Sequence, residues 1–323
     1  MTTMQHIDPD AVPVAAGGEE EDTDSLIPEG AIKFELAAEQ IEEAIRARDV
    51  QVEAVKDVEV PDQMVSDERI HELMVERRPE FVPVDDVSAN PLADADAYTG
   101  VVRRRLSNGV RVNYRVSPNE PGSAVMRLVA SGGRAQEGAD IGPSGAGAVS
   151  VGVRAASESG TVGDWQREQV ELFCVSRLIN CVLESDEEFV VMDFHFPVSD
   201  GGLRGAFEVL HLFLEKPKWD PVALERAKQM FLSHYRGLNK SLERATGDRV
   251  LAAMLGPDRR FRDASPEEIE ALTLEGCREA VMRQLTTDNL ELNVVGDFDP
   301  EELEDCLLKF LGTLTPSGGK TER

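Results

Sequence analysis

Residues 188–200, EFVVMDFHFPVSD, constrain the fold more than any other stretch of the chain. Every second residue from Val190 to Val198 is apolar, whereas Asp193 and His195 occupy alternate positions. Successive side chains of a strand point to opposite faces of a sheet. The alternation therefore predicts a strand whose sheet buries one face and leaves the other face exposed.

The remaining periodicities add strands and helices to this sheet. Helices are predicted where apolar residues recur every three or four positions, and strands where extended runs are bounded by glycine turns. Because runs of helices separate the strands, the sequence predicts an α+β fold, in which helices cover one face of a mixed sheet. Further strands are predicted at 101–117, as two short runs about the SNG turn, and at 122–134 and 289–298. Helices are predicted within 140–161 and at 164–184, 201–219, 220–238, 241–255, 265–285 and 299–314.

Charge is distributed unevenly along the chain. The net charge is −27, and the first 100 residues carry 26 acidic and 7 basic side chains, a net of −19. Such a chain repels nucleic acid and anionic lipid, whose phosphates attract clustered Lys and Arg, so neither is expected as a partner. The composition predicts a disordered acidic N-terminus at 1–30, a linker with short helices at 31–99, a compact unit at 100–315 and a disordered tail at 316–323.

The cysteines favour a reducing compartment. They are Cys174, Cys181, Cys277 and Cys306, and no two form a CxxC pair. Cys174 and Cys181 are spaced to share one helix face, but buried, reduced thiols are favoured over a metal or redox pair. No apolar run approaches the ~18 residues of a membrane span, and the N-terminus lacks a basic region. We therefore expect a soluble protein with no membrane partner and no targeting signal in this chain.

The glycine-rich run GPSGAG at 142–147 suggests a phosphate site, because it precedes a predicted helix. Its glycines, Gly142, Gly145 and Gly147, follow the spacing GxxGxG rather than the dinucleotide-binding GxGxxG, and no GK[ST] follows. A flexible approach to a helix packed on the sheet is the favoured interpretation, so no phosphate or cofactor site is predicted.

Histidines and carboxylates offer no complete metal site by spacing. A zinc site takes three or four ligands at ~2.0–2.3 Å, and no two of the five histidines lie three or four residues apart. Asp193 and His195 share one strand face and could donate two ligands, although a hydrogen-bonded surface pair is favoured. His71 and Glu72 begin an HExxH motif, but Val75 replaces its second histidine. No catalytic, metal-binding or cofactor-binding residue is assigned.

Three phrases resemble one unit of the pitrilysin/insulinase family of zinc metallopeptidases. They are RRLSNGVRVNYRVSPNE, VMRLVASGGRAQEGAD and ELNVVGDFDPEELEDCLLKFLGTL. Longer runs, QREQVELFCVSRLINCVLES and KSLERATGDRVLAAMLGPDRRF, resemble the half downstream of the catalytic unit in members that remove transit peptides from precursors imported into the chloroplast stroma. The resemblance covers roughly residues 30–315 and implies a ferredoxin-like, LuxS/MPP-like metallopeptidase unit.

The chain departs from this family at the zinc-binding positions. The resemblance implies that catalytic units carry an inverted HxxEH motif on the first helix and a distal glutamate on a later one. Aligning ESGT with the family's KGT places the motif on Val151, Arg154 and Ala155, and the distal glutamate at Phe231 or Leu232. Valine and alanine cannot bind zinc, and arginine repels it. The unit is therefore predicted to be non-catalytic, with zinc confined to the catalytic unit of the family.

Two functions remain open from the sequence. The first is a substrate-enclosing unit, or a fragment, of a zinc metalloendopeptidase whose catalytic half is encoded elsewhere. Its strand edge and acidic wall would hold basic precursor peptides, because transit peptides are rich in Arg and poor in acids. The alternative is a stand-alone module that binds a peptide or a peptidase without cleaving it. In both cases the chain is expected to be inactive by itself.

Overall fold

The structure is a computed structural model that describes residue 43 and residues 57–84, 98–137, 145–238, 240–255 and 263–318. The chain divides into two compact units, Met1–Lys56 and Asp57–Arg323. Apart from Glu43, every described residue belongs to the second unit, so the fold below is that of this unit. The disorder predicted at 1–30 lies outside the described residues.

Strands and helices fill most of the described part of the second unit. The strands are β1 (Phe81–Val82), β2 (Val102–Leu106), β3 (Arg111–Val116), β4 (Ser123–Ser131), β5 (Asn180–Ser185), β6 (Phe189–Pro197) and β7 (Leu290–Gly296). The helices are α1 (Asp67–Arg77), α2 (Ala148–Ser159), α3 (Arg167–Ser176), α4 (Gly202–Glu215), α5 (Pro221–Leu238), α6 (Leu242–Leu255), α7 (Pro266–Ala271), α8 (Leu274–Met282) and α9 (Pro300–Cys306). None of the described helices has the length and apolar character needed to cross a membrane.

The strands form one mixed sheet in the order β1-β2-β3-β7-β4-β6-β5. β3 and β7 pair in parallel, whereas the other neighbours pair antiparallel. β7 therefore lies between β3 and β4, which are consecutive in sequence but not adjacent in the sheet. The predicted α+β class with a mixed sheet is confirmed.

One face of the sheet is buried, as the alternation in residues 188–200 predicts. On β6, Val190, Met192, Phe194 and Phe196 are buried. They belong to the same core cluster as apolar side chains of α2, α4 and α9. The intervening side chains of β6 lie on the opposite face of the sheet and are partly or fully exposed.

The single helix predicted at 164–184 is wrong, because the structure divides this stretch into α3 and β5. The chain reverses at Leu178, which has a left-handed φ of 55° and is 76% exposed. The Ile179 N–H then donates to the carbonyl of Cys174, and β5 continues as an edge strand paired with β6. Cys174 and Cys181 consequently lie on different elements and share no helix face.

The stretch predicted as one helix at 265–285 is also divided. Ser265 caps α7 through a capping box with Glu268, as its sequence position predicts. Thr273 then caps a second helix, α8, by accepting from the N–H of Gly276. Each hydroxyl satisfies an amide at a helix start and so defines a new helix.

Residues 57–84, which lie within the segment predicted as a linker with short helices, pack on the rest of the unit. The Met64 N–H donates to Oε2 of Glu208 at 2.7 Å, and the indole N–H of Trp165 donates to the Met64 carbonyl at 2.9 Å. Glu208 is only 1% exposed, and burial raises the pKa of its carboxyl. β1 adds an edge strand beside β2. The second unit thus includes residues 57–84.

Close helix packing determines the position of α2. This helix contacts α5, α8 and β5. At Gly152, an added Cβ would lie 2.9 Å from Cγ2 of Val281 and 3.0 Å from the carbonyl oxygen of Cys277. Because the second of these atoms belongs to the backbone of α8, the two helices approach as closely as a glycine permits.

We expect Gly152→Ala to destabilise the unit by about 1–3 kcal/mol, because the clash with α8 exceeds the gain of ~1 kcal/mol in helix propensity. Gly247 of α6 is the matched control, since nothing lies within 4 Å of a Cβ added there. Gly247→Ala should leave stability unchanged or raise it by up to ~1 kcal/mol. Urea unfolding followed by circular dichroism measures both. Equal stabilisation by the two substitutions would contradict close packing of α2 on α8.

Candidate functional site

A buried carboxylate holds the start of α2. Oε2 of Glu137 accepts from the Gly147 N–H at 2.8 Å, and Oε1 accepts from the Ser150 N–H at 2.7 Å and the Ser150 hydroxyl at 2.9 Å. These bonds satisfy amides that lack partners within the helix. Desolvation raises the pKa of Glu137, and the bonds from Ser150 and Gly147 oppose that rise. Sequence reasoning missed Glu137, because it lies ten residues before the helix and outside any local capping pattern.

This carboxylate also argues against a phosphate at the glycine-rich run. The amides of Gly147 and Ser150 that would face an anion already donate to Glu137. A phosphate approaching them would meet the negative field of the carboxylate. Gly142 lies outside the described residues, so the part of the run at 142–144 has no described geometry.

Buried apolar side chains and one ion pair fill the positions aligned with the family's zinc motif. Val151 is 1% exposed and Ala155 is 2% exposed. Arg154 donates from Nη2 to Glu158 one turn later on α2, at 2.5 Å. The Arg154 Nε is buried and has no hydrogen-bond acceptor. The polar group among these aligned positions is therefore the Arg154 cation, which pairs with Glu158.

The structure brings the aligned positions of α2 and α5 together around one cavity. Its volume is about 360 Å³, and Val151, Arg154 and Phe231 contribute to its wall beside His234 and Tyr235. Phe231 is half-buried, whereas its neighbour Leu232 is buried. The cavity has room for a single side chain or a small molecule rather than for an extended peptide.

The ionisable groups beside this cavity are mostly committed to one another. Arg134, which also lines the cavity, donates to Glu187 at 2.8 Å and to Asp263 at 2.5 Å. The described residues contain no group of three His, Cys, Asp or Glu side chains placed to hold a metal ion. His234 contributes one imidazole, which alone does not make a zinc site.

The other histidines have different environments. Asp193 accepts hydrogen bonds from Nε and Nη2 of Arg127, at 2.6 and 2.7 Å. Both carboxylate oxygens of Asp193 therefore take part in this ion pair rather than in a pair with His195. His211 is buried, and its Nδ1 lies 2.7 Å from the carbonyl oxygen of Phe310. Burial lowers the pKa of His211, which favours the neutral imidazole.

The four thiols are poorly suited to redox or nucleophilic chemistry. Burial raises the pKa of Cys174 to about 11 and the pKa of Cys277 and Cys306 to about 12, and it also raises that of Cys181. The thiolate is the reactive form, and it is scarce when the pKa is high. Cys277 and Cys306 are buried, whereas Cys174 and Cys181 are only partly buried.

A free sheet edge lies beside α2. β5 pairs with β6 on one side, and within the described part of the chain no strand pairs with its other side. Asn180, Val182 and Glu184 are its exposed side chains. The following turn continues the acidic run ESDEE over 184–188. This edge combines backbone groups available for pairing with negative charge.

Comparison with curated proteins identifies relatives of the chain. It is 45% identical over 291 residues to a protein of Pisum sativum named stromal processing peptidase, chloroplastic, and 44% identical over 289 residues to a protein of that name in Arabidopsis thaliana. The chain is a relative of the stromal processing peptidases. The matches cover 90% and 89% of this chain but 23% and 22% of the relatives, so it spans about a quarter of their length. No family model matches the chain.

Solved structures confirm the expected fold. The periplasmic protease PqqL of Escherichia coli superposes with a TM-score of 0.64 at 12% identity, over 88% of this chain and 29% of that one. A peptidase M16 inactive domain of Pseudomonas fluorescens gives 0.59 at 15% identity, over 69% and 52%. A mutant of the ferredoxin protease FusC in complex with Arabidopsis ferredoxin gives 0.58 at 12% identity, over 90% and 30%. The resemblance inferred from the sequence phrases is thus confirmed in fold and in relatives.

We expect Glu137→Gln to lower the free energy of unfolding by about 1–2 kcal/mol at mildly acidic pH, because a Gln side chain cannot accept all three bonds at the start of α2. Burial raises the pKa of Glu137 above its ordinary 4.5. The stability that protonation of Glu137 contributes is therefore fully present below the ordinary pKa of 4.5, and it is lost as the pH rises through the raised pKa. The difference between wild type and variant should narrow toward neutral pH in urea unfolding.

The comparison at each pH cancels the titration of all other groups, which both proteins share. If the difference in unfolding free energy between wild type and variant widens as the pH rises, the helix amides stabilise the carboxylate more than burial destabilises it. That outcome would contradict the raised pKa.

Proposed function

We propose that this chain is a non-catalytic, substrate-enclosing unit of a zinc metalloendopeptidase that processes transit peptides in the chloroplast stroma. The relation to stromal processing peptidases supports the reaction and the compartment. Because the chain spans about a quarter of those relatives, its catalytic partner would be a segment that corresponds to another part of them.

The observation that carries this proposal is the environment of the aligned zinc positions. Val151 and Ala155 are packed in the core, and Arg154 is paired with Glu158. On α5, Phe231 and Leu232 likewise present apolar side chains. Of the zinc-binding side chains on these two helices, His234 alone lines the cavity with Val151, Arg154 and Phe231. One imidazole is too few ligands for a zinc site, so the chemistry would occur on the partner.

The free edge of β5 suits the binding of an extended peptide. A peptide strand can add to a sheet edge through main-chain hydrogen bonds, and alternate side chains then contact the flanking surface. Glu184 is exposed on this edge, and the acidic turn at 186–188 extends the negative charge. Transit peptides are rich in Arg and poor in acids, so they complement this edge.

We expect the purified chain to bind a fluorescent Arg/Ser-rich peptide without cleaving it, even with added Zn²⁺. Fluorescence anisotropy measures binding, mass spectrometry detects cleavage, and elemental analysis measures the zinc content of the protein. Cleavage that a chelator abolishes would overturn the non-catalytic assignment, as would stoichiometric zinc. A failure to bind the peptide would overturn the substrate-enclosing role.

We expect Glu184→Lys to weaken binding of the same peptide by about three- to tenfold at low ionic strength, because it reverses a charge at the β5 edge. Glu80→Lys is the matched control. Glu80 is exposed and precedes β1 at the opposite edge of the sheet. Its replacement by lysine changes the net charge by the same amount as Glu184→Lys. Equal weakening by both variants would show that net charge, and not the β5 edge, determines binding.

A further inference from the structure

The face of the sheet opposite the core carries a concentration of arginines on β2 and β3. Leu106, Val112 and Tyr114 point into the core. The intervening positions of these strands therefore point to the opposite face. Four arginines occupy these positions: Arg103, Arg105, Arg111 and Arg115. We call these four residues the arginine face.

Strand register places like charges against each other within the arginine face. Arg105 and Arg111 are direct partners in the β2–β3 ladder. Side chains directly opposite each other on antiparallel strands have Cβ atoms ~4.5–5.5 Å apart, and like charges at such positions destabilise the pair.

An acid of the neighbouring strand compensates one member of the arginine face, Arg111. Arg111 Nε lies 3.3 Å from Oε2 of Glu291 on β7, but it is buried and has no acceptor in hydrogen-bond geometry. Glu291 also accepts from the side-chain amide of Asn113 at 2.9 Å. Arg103 and Arg115 are exposed, and neither forms a salt bridge with any described residue.

The positive charge of the arginine face contrasts with the negative net charge of the protein. The protein carries a net charge of −27 and only 34 basic residues. A positive surface within such a negative field attracts a partner that offers acidic groups locally, and opposite local potentials determine the register of contact. The arginine face lies at the β1–β3 side of the sheet, away from the acidic β5 edge.

We propose that the arginine face is a docking surface for an acidic, extended polypeptide segment. Alternate side chains of an extended segment repeat every ~6.6–6.8 Å, which is the spacing between Arg111, Asn113 and Arg115 along β3. Arginine binds carboxylates through paired N–H donors, and Arg103 and Arg115 are exposed on this face of the sheet. The open sheet surface favours several weak contacts with one chain over the capture of a small anion. A long nucleic acid is disfavoured, because the net charge of −27 repels it.

The test uses the full chain and a fluorescent peptide of alternating glutamate and serine. A glutamine–serine peptide of the same length controls for charge. We expect anisotropy to show binding of the glutamate peptide that weakens as salt rises, and no binding of the glutamine peptide. Equal binding of both peptides, or of neither, would overturn the proposal.

Two double variants locate the surface. Arg103→Gln/Arg115→Gln removes two exposed arginines of the arginine face, and we expect it to weaken glutamate-peptide binding about tenfold. Arg244→Gln/Arg249→Gln on α6 removes the same charge from exposed positions elsewhere and should change binding by less than about twofold. Equal weakening by the two double variants would overturn the proposal, and circular dichroism verifies that both fold.

Competition distinguishes the possible anions. Inorganic phosphate at constant ionic strength should not displace the glutamate peptide, and a thymidine oligonucleotide should bind more weakly than the peptide. Displacement by phosphate would make the surface a small-anion site, and tighter oligonucleotide binding that depends on Arg103 and Arg115 would make it a nucleic-acid site. Either outcome overturns the proposal. The basic peptide that tests the β5 edge should bind the Arg103→Gln/Arg115→Gln variant unchanged, so the two proposals can fail separately.

Discussion

Burial of one face of the mixed sheet is the constraint on which the other features depend. The helices can cover only that face, so the opposite face presents its alternate side chains outward. α2 fits between α5 and α8 because Gly152 permits close approach and because Val151 and Ala155 are apolar. The same packing that stabilises the unit therefore places apolar side chains at two of the positions that the sequence alignment predicts to correspond to a zinc motif.

α2 shows how packing and a single carboxylate maintain a helix of poor intrinsic propensity. Val149, Val151 and Val153 are β-branched and disfavour a helix by themselves. All three are buried, and Glu137 satisfies amides at the helix start. The helix is thus stabilised by its packing in the core and by one buried carboxyl group. Beside it, the acidic β5 edge remains available to a partner chain.

Local periodicity predicted an element correctly where the residues of that element alone determined the pattern. β6 was found from its alternation, and the cap at Ser265 from its side chain. β5 was missed, because the helical spacing of Val170 and Phe173 continues by chance to Leu178 and Cys181. The sequence did not predict the long-range contacts. Glu137 reaches the start of α2 across ten residues, and the packing of residues 57–84 on the unit depends on partners that are distant in sequence.

The position of β7 has a consequence for biosynthesis. It is inserted in parallel beside β3 and antiparallel beside β4, although it is separated from both by more than half of the unit. A ribosome-bound chain that has not yet emerged as far as residue 296 therefore exposes one unpaired edge on each of two strands. Such edges are templates for intermolecular pairing, and contacts of this sequence separation form late in folding. The centre of the sheet is thus completed only after the segment that contains β7 has been synthesised, and until then both strand edges can pair with other chains.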